Sequence, residues 1–241
     1  MPLTVRQFPC LSDNYGFLAR DEATGAVACI DTPDAEAILE QLRVLDWRLT
    51  HILNTHWHAD HAGGDAALKA ATGAVIYGPA EVEKVATVDH RVRGGDVVAL
   101  GETRLDVLDT GGHTLGHVSY VDADDQIAFV GDTLFALGCG RLFEGTAEQM
   151  WASLSRLAAL PDETAVYCAH EYTAANARFA LSLEHGPALA ARARAVFEAR
   201  ERGDPTVPTT IGLEKATNPF LRAGDAQRFA AVRTAKDNFK G

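Results

Sequence analysis

Apolar residues along the chain repeat with two periods, close to two residues in some segments and close to 3.6 in others. Short apolar runs that end at turn or charged residues predict β-strands. These runs cover residues 3–8, 15–20, 27–30, 50–54, 74–77, 96–100, 104–109, 118–121, 127–130 and 165–168. Because all of them precede residue 169, the pattern predicts a β-rich first part of the chain.

Helical spacing occurs between some of these strands and dominates the chain after them. Two helices have clear start signals, Pro33-Asp34 for one and a capping box of Thr146 and Gln149 for another. The predicted helices cover residues 35–45, 62–71 (opened by Gly63-Gly64), 146–160, 172–184, 187–202 and 225–238. No strand is predicted after residue 172. The pattern therefore predicts an α/β (α+β) chain with one domain over 1–168 and a helical domain over 169–241.

The composition is that of an ordinary globular protein, with 241 residues, 47% hydrophobic and 23% charged. No apolar run approaches the roughly 18 residues of a membrane span, and residues 1–6 lack the features of a signal peptide. The net charge of −11 disfavours nucleic acid and anionic membrane surfaces as partners. Four widely spaced cysteines are typical of reduced thiols. We therefore expect a cytoplasmic monomer that binds a small molecule.

A histidine-rich loop is the most informative segment of the chain. His56, His58, Asp60 and His61 fall within six residues, directly after the strand predicted over 50–54. In an extended loop, His56 and His58 point to the same side. Imidazole and carboxylate together are the ligand set of zinc, iron or manganese. The loop is therefore predicted to bind metal.

One loop cannot complete a metal site, so we expect further ligands from other strand ends. His113, Asp132 and His170 each follow a predicted strand and stand beside small residues that permit close backbone approach. His117 is interpreted as a residue that orients a neighbouring ligand. The other histidines lack such a context and are interpreted as exposed or structural: His51, His90 and His185.

Four motifs resemble the metallo-β-lactamase superfamily. They are THWHADHAGG at 55–64, GHTLGH at 112–117, VGDTLF at 130–135 and AHEY at 169–172. Segments at 138–146, 216–222 and 232–239 narrow the resemblance to the glyoxalase II (hydroxyacylglutathione hydrolase) family. The resemblance extends from Asp13 to Phe239, and its helical C-terminal part is specific because most of the superfamily lacks it.

The resemblance implies a four-layer αβ/βα sandwich of the metallo-β-lactamase type, followed by a small helical domain that binds substrate. It also implies two divalent metal ions per chain, with zinc expected and iron or manganese as alternatives. The implied ligands are His56, His58 and His113 for the first metal, Asp60, His61 and His170 for the second, and Asp132 for both. Asp60 and Asp132 are the implied catalytic residues.

The implied reaction is hydrolysis of S-D-lactoylglutathione and other S-2-hydroxyacylglutathiones to glutathione and D-lactate, in methylglyoxal detoxification. A hydroxide that bridges the two metals would attack the thioester. The implied contacts to the glutathione part are Arg141, Phe143, Tyr172, Arg233 and Lys236. Arg141 keeps the charge of the lysine in vertebrate enzymes, whereas Phe143 lacks the hydroxyl of their tyrosine. Although the chain is acidic, a pocket with the three cations Arg141, Arg233 and Lys236 at its rim could bind an anionic substrate.

Other functions remain open at this stage. A mononuclear iron persulfide dioxygenase would share the histidine loop and would use His56, His113 and Asp132. The complete second ligand set and the C-terminal cations disfavour it. The net charge disfavours a nuclease, and the absence of a signal-peptide pattern disfavours a secreted β-lactamase. A non-catalytic relative is expected to have lost ligands, and this sequence retains all seven.

Overall fold

A computed structural model describes residues 3–240, and the chain divides into two compact units. Residues 3–109 and 116–131 form the first unit, and residues 110–115 and 132–240 form the second. Residues 1, 2 and 241, at the outer ends of the two predicted domains, lie outside the described residues. Whether the domains divide at 168/169 stays a prediction.

The first unit contains a six-stranded sheet whose strands are neighbours in chain order. They are β1 (Leu3–Cys10), β2 (Asn14–Asp21), β3 (Val27–Ile30), β4 (His51–Leu53), β5 (Val75–Gly78) and β6 (His90–Arg91). β1 to β3 pair antiparallel, and β3 to β6 pair parallel. Every residue of β3 is buried, which is typical of a parallel strand with both faces covered. Parallel pairing brings the carboxyl ends of β3 and β4 to one edge of the sheet, and that edge carries the histidine loop.

The α-helices of the first unit are α1 (Ala35–Leu45), α2 (Ala59–Ala62) and α3 (Asp65–Thr72), and a 3-10 helix covers Ala80–Lys84. α1 has the bounds that the sequence predicted. Asp34 caps it by accepting hydrogen bonds from the backbone N–H groups of Glu36 and Ala37. Ile38 and Leu42 of α1 are buried in the core beneath the sheet.

The helix predicted over 62–71 is present as α3, but its predicted start is wrong, because two glycines separate α3 from the short helix α2 that ends at Ala62. The N–H of Gly63 bonds to the carbonyl of Ala59 and completes the last turn of α2. The N–H of Gly64 instead bonds to the carbonyl of Thr32, 32 positions earlier in the chain. This bond to a distant carbonyl takes the chain out of the helix before α3 begins.

A second group of strands in the first unit is antiparallel. It comprises β7 (Val97–Leu100), β8 (Thr103–Asp109), β9 (Val118–Asp122) and β10 (Ile127–Gly131), each paired with the next. Asp21 at the end of β2 accepts bonds from the Glu102 N–H and the Thr103 hydroxyl, and so fixes the β7–β8 turn. The rings of Phe17 and Phe129 meet at 6.0 Å between centroids. These contacts join the second group of strands to the six-stranded sheet.

The second unit is mainly helical. Its elements are β11 (Leu134–Phe135), β12 (Gly138–Cys139), α4 (Ala147–Ala158), β13 (Ala165–Cys168), α5 (Thr173–Leu183), α6 (Pro187–Glu201), β14 (Thr209–Thr210), α7 (Ile211–Thr217) and α8 (Ala226–Asp237). The predicted strand over 165–168 and the four predicted helices are present within a few residues. Within residues 3–240, no helix is both long and apolar enough to cross a membrane.

Two expectations for the second unit are wrong. The chain does form a strand after residue 172, because β14 pairs with β13 through Ala165 and Thr210. Gln149 does not complete a capping box. Its backbone N–H donates to the Thr146 hydroxyl, but its side-chain amide donates to the carbonyl of Leu115. Both differences arise from partners that lie far away in the sequence.

Candidate functional site

The loop after β4 gathers its four predicted metal ligands into one cluster in the first unit. His56 Nε2 lies 3.0 Å from His58 Nδ1, and the rings of His56 and His61 are 4.0 Å apart. Asp60 Oδ2 lies 3.5 Å from His61 Nε2. The extended backbone before α2 turns His56 and His58 to one side, and α2 presents Asp60 and His61 beside them.

Asp31 is a site residue that the sequence analysis missed. It follows the buried strand β3, and its carboxylate accepts bonds from the Thr55 N–H at 2.7 Å and the Thr55 hydroxyl at 2.8 Å. It also lies 2.8 Å from His61 Nδ1. An ionised carboxylate only accepts, so His61 Nδ1 carries the proton. A charged residue directly after a fully apolar strand was the available signal.

Two further residues support the cluster from within the first unit. The ring of His117 stacks on the ring of His56 with 4.8 Å between centroids. Asn14 at the start of β2 donates its amide to Asp60 Oδ2 at 3.1 Å. Gly131 has a φ of +47°, and a Cβ there would lie 2.7 Å from His117 Nε2. Only glycine leaves room for the His117 ring at that position.

The second unit contains the other three predicted ligands. Asp132 follows β10, and its two carboxylate oxygens face two different imidazoles. Oδ2 lies 3.3 Å from His113 Nε2, and Oδ1 lies 3.3 Å from His170 Nε2. All three residues are buried. Asp132 therefore places one carboxylate oxygen beside each of these two histidines.

The segment after β12 fixes His113. Its Nδ1 lies 2.9 Å from the carbonyl oxygen of Arg141, which can only accept. The ring of Phe143 meets the His113 ring edge to face at 5.2 Å. A Cβ at Gly140 would lie 1.9 Å from the Asp132 carbonyl oxygen, so residue 140 must be glycine. The same short segment thus orients a predicted metal ligand and carries two predicted substrate contacts.

A cavity of about 420 Å³ lies in the second unit beside these ligands. All five residues assigned to glutathione by resemblance line it. The lining residues are His113, Asp132, Phe135, Cys139, Arg141, Phe143, Tyr172, Ala175, Asn176, Arg233 and Lys236. The structure therefore brings together residues that are more than 120 positions apart at its extremes, from His113 to Lys236.

The cavity is electropositive although the chain is acidic. The guanidinium of Arg233 is buried and bonded to Asp237 and to the carbonyl of Cys139. Lys236 Nζ donates to the carbonyl of Ala175 at 3.1 Å. Burial, together with the nearby cations of Arg233 and Arg141, lowers the pKa of Lys236 to about 8. An anionic ligand in this cavity would offset that unfavourable clustering of positive charge.

Aromatic rings form the remaining walls. Tyr172 stacks on His170 with 4.7 Å between centroids and 2° between planes. The ring of Phe135 is nearly perpendicular to both, with centroids 5.9 Å from His170 and 5.4 Å from Tyr172. Phe143 is 62% exposed, so its ring is available at the cavity rim and offers no hydroxyl.

The donor set fits divalent metal ions. The Thr55 hydroxyl donates to Asp31, so at 3.0 Å it accepts from His56 Nδ1. The Nδ1 atoms of His56, His61 and His113 are thus all held by oxygen, which leaves each Nε2 with a lone pair. Metal-binding histidines in proteins are oriented in this way. By contrast, His51 and His90 pack against Tyr77, and His185 is exposed.

Comparisons with known proteins agree with this chemistry. The family model of the metallo-β-lactamase superfamily matches residues 29–170, and that of the hydroxyacylglutathione hydrolase C-terminus matches residues 171–239. A hydroxyacylglutathione hydrolase of Erythrobacter litoralis is 53% identical, over 98% of this chain and 100% of that protein. The crystal structure of ETHE1 from Myxococcus xanthus is 31% identical, with a TM-score of 0.75 over 98% of this chain and 92% of that one. TTHA1623, solved in a di-iron-bound form, is 26% identical, with a TM-score of 0.66 over 90% of this chain and 100% of that one.

The fold and the histidine and aspartate clusters define a metal-binding protein of the metallo-β-lactamase superfamily. Within it, the chain belongs to the hydroxyacylglutathione hydrolase family. The predicted fold class is confirmed, with mixed sheets and helices followed by a helical C-terminal region. The histidine and aspartate clusters support binding of divalent metal.

Proposed function

We propose that this chain hydrolyses the thioester of S-D-lactoylglutathione and related S-2-hydroxyacylglutathiones, releasing glutathione and D-lactate. One observation carries the proposal. A single cavity combines three cations, Arg141, Arg233 and Lys236, with the buried pair His113 and Asp132. The cations suit the carboxylates of a glutathione conjugate, and the buried pair suits metal-assisted hydrolysis. The 53% identity to a hydroxyacylglutathione hydrolase supports the same reaction.

The proposed centre holds two divalent ions, with zinc as the expected metal. The ligands would be His56, His58 and His113 for one ion, Asp60, His61 and His170 for the other, and Asp132 for both. The opposed contacts of the two Asp132 oxygens support a bridging role for that carboxylate. When bound, the ions would supply an activated water as nucleophile and a Lewis acid for the carbonyl oxygen. Because TTHA1623 binds two irons, iron is the alternative that metal analysis must test.

The side chains of this chain bind and orient the substrate. Arg141 and Lys236 would hold the carboxylates of the glutathione part, and residues 169–241 would form the domain that supplies most of these contacts. Asp60, whose Oδ2 accepts a hydrogen bond from the Asn14 amide, would also accept a hydrogen bond from the attacking water while it binds the metal. The leaving thiolate has a parent pKa of about 8.5, so it needs no general acid.

The decisive experiment follows the loss of thioester absorbance of S-D-lactoylglutathione, with metal content measured on the same protein sample. Rapid turnover with about two metals per chain is the expected result. Two bound metals without turnover would refute the proposed substrate and would agree with the proposed two-metal centre. One iron per chain without hydrolysis, together with oxygen consumption on glutathione persulfide, would favour the dioxygenase instead.

Two observations favour the hydrolase over that dioxygenase. The hydroxyacylglutathione hydrolase C-terminal model matches residues 171–239, and the identity to the Erythrobacter hydrolase exceeds that to ETHE1, 53% against 31%. We also propose that the chain acts as a monomer in the cytoplasm. Its four cysteines are buried and unpaired, which suits a reducing compartment.

A further inference from the structure

A short hairpin in the second unit lines the cavity but has little stability of its own. β11 and β12 have two residues each and pair through Leu134–Cys139 and Phe135–Gly138. Phe135 and Cys139 line the cavity. Leu137 at the turn has a φ of +57°, a left-handed conformation that is unfavourable for a bulky side chain. Something beyond the hairpin must therefore hold its shape.

Side chains from other elements form hydrogen bonds with successive backbone groups of this hairpin. The amide of Asn218 donates to the carbonyls of Phe135 at 3.2 Å and Gly138 at 2.9 Å. Glu214 Oε2 accepts from the Leu137 N–H at 2.9 Å. On the other side, Asn176 Nδ2 donates to the carbonyl of Ala136 at 3.1 Å. Four consecutive residues of the hairpin, 135–138, thus each have a backbone group bonded to a side chain from another element.

The end of the hairpin is bonded to a residue that we assign to substrate binding. Arg233 Nη1 donates to the carbonyl of Cys139 at 2.9 Å. A shift of β12 would therefore move the partner that positions the Arg233 guanidinium. The position of the hairpin therefore affects the position of Arg233 in the cavity.

Asn218 has the central place among these contacts. It is fully buried, directly after α7, and its Oδ1 accepts from the Phe220 N–H at 3.0 Å. That bond fixes the orientation of the amide and turns its NH₂ group toward the hairpin. Its Nδ2 also lies 2.9 Å from Glu214 Oε2, which holds Leu137. One side chain therefore links both strands of the hairpin to the carboxylate that holds its turn.

We propose that Asn218 is a positioning residue that holds the β11–β12 hairpin in the shape required for binding the glutathione part of the substrate. The inference rests on the proposed function, because it assigns a role within the same cavity. Asn218 touches no substrate atom in this proposal, and it acts through Phe135, Cys139 and Arg233.

The test compares Asn218→Ser with a matched control, Thr217→Val. Serine keeps an oxygen for the Phe220 N–H but cannot donate to both hairpin carbonyls. Thr217 is the adjacent buried residue, and its hydroxyl bonds to Arg192 and to the Leu213 carbonyl but to no hairpin group. Each holoenzyme is assayed for KM and kcat with S-D-lactoylglutathione, for Kd of S-methylglutathione by calorimetry, for metal content and for Tm.

For Asn218→Ser we expect KM and Kd to rise about tenfold, since two buried hydrogen bonds to the hairpin are lost. We expect kcat to change less than about twofold and metal content to stay the same, because the variant leaves every proposed ligand in place. Thr217→Val should lower Tm while leaving KM and Kd unchanged. If Asn218→Ser gives too little folded protein, Asn218→Ala is measured in the same way.

Three results would overturn the proposal. Unchanged KM and Kd in the Asn218 variants would do so, as would equal weakening in Thr217→Val. Failure of both Asn218 variants to fold, with a stable Thr217→Val, would assign Asn218 to folding instead of to the cavity. Failure of the proposed function has a different signature, because the wild-type chain would then neither hydrolyse the thioester nor bind S-methylglutathione.

Discussion

The histidine loop of the first unit and the cavity of the second unit are built in different ways. The loop supplies four proposed ligands within six residues, and they contact one another directly. The cavity draws on segments spread from His113 to Lys236, and its cations are held by bonds such as that between Arg233 and Cys139, 94 positions apart. A local segment thus provides four of the seven proposed ligands, whereas long-range packing provides the other three and the cations of the cavity. We therefore expect changes near the metal ligands to affect kcat and metal content, and changes at the cavity cations to affect KM.

The largest effect is expected from loss of a proposed metal ligand. His58→Ala should lower turnover by about 10³-fold or more and reduce bound metal, because the nucleophile and the charge stabilisation depend on the centre. Asp132→Ala should do the same from the second unit. Steady-state kinetics and metal analysis on one sample check this. His90→Ala, an exposed histidine outside the loop, is the control and should behave as wild type. Full activity with normal metal content in His58→Ala or Asp132→Ala would refute the ligand assignment.

A smaller effect is expected when only the support of a ligand is changed. Asp31→Asn should lower metal affinity about 10- to 100-fold, because the carboxylate no longer orients His61 through Nδ1. Competition with a chelator measures the affinity. Asp21→Asn is a matched control, since Asp21 is also buried and hydrogen-bonded but contacts no proposed ligand. That control should lose stability and retain metal. Equal metal affinity in wild type and Asp31→Asn would show that His61 binds metal without the Asp31 carboxylate to orient it.

In the cavity, Arg233→Ala should mainly raise KM for S-D-lactoylglutathione, by about 10- to 100-fold, because a charge-assisted contact is lost. Its kcat should stay within a few-fold of wild type. Asp237→Asn keeps the Arg233 cation and removes only the negative charge of its partner, so the KM of that variant should change less. An unchanged KM in Arg233→Ala would exclude Arg233 from substrate binding and leave it a structural role through Cys139 and Asp237.

The pH dependence of KM should report Lys236. Burial and the cations of Arg233 and Arg141 lower the pKa of Lys236 to about 8, while Asp237 acts in the opposite direction. Lysine is a cation below its pKa, so the charged form that binds carboxylate is lost as pH rises through about 8. KM should therefore rise by up to about tenfold between pH 7 and pH 9. Lys236→Arg should flatten that rise, and the same slope in both proteins would exclude Lys236 as its cause.

The smallest effect is expected at the cavity rim. Phe143→Tyr adds a hydroxyl to an exposed ring, and a new hydrogen bond to the peptide part of the substrate should lower KM about two- to tenfold. The edge-to-face contact with His113 should persist, so kcat should not change. Phe143→Leu removes the ring without adding a hydroxyl and should not lower KM. If Phe143→Tyr leaves KM unchanged, no substrate acceptor lies within reach of that ring position.

The accuracy of the sequence-based predictions followed the distance over which the deciding contacts act. Helix α1 was predicted to the residue because its cap, Asp34, adjoins it. The start of the helix predicted over 62–71 was wrong because the Gly64 N–H bonds to the carbonyl of Thr32. β14 was missed because its partner is β13, about 45 positions earlier by the pairing of Ala165 with Thr210. The hairpin β11–β12 was missed because Leu137 takes a turn conformation that no local pattern favours.

The sequence by itself determined the mixed fold class, most strands and helices, and the cluster of metal-binding residue types, because periodicity, capping and ligand spacing act between near neighbours in the chain. Only the tertiary structure decided that Asp31 holds His61, that Arg141 orients His113 through its carbonyl, and that Asn218 and Glu214 hold the hairpin at the cavity. These contacts join residues that folding alone brings together. A side chain's hydrogen-bond partner depends on its position in space, and the order of residues along the chain does not encode that position in any repeating pattern.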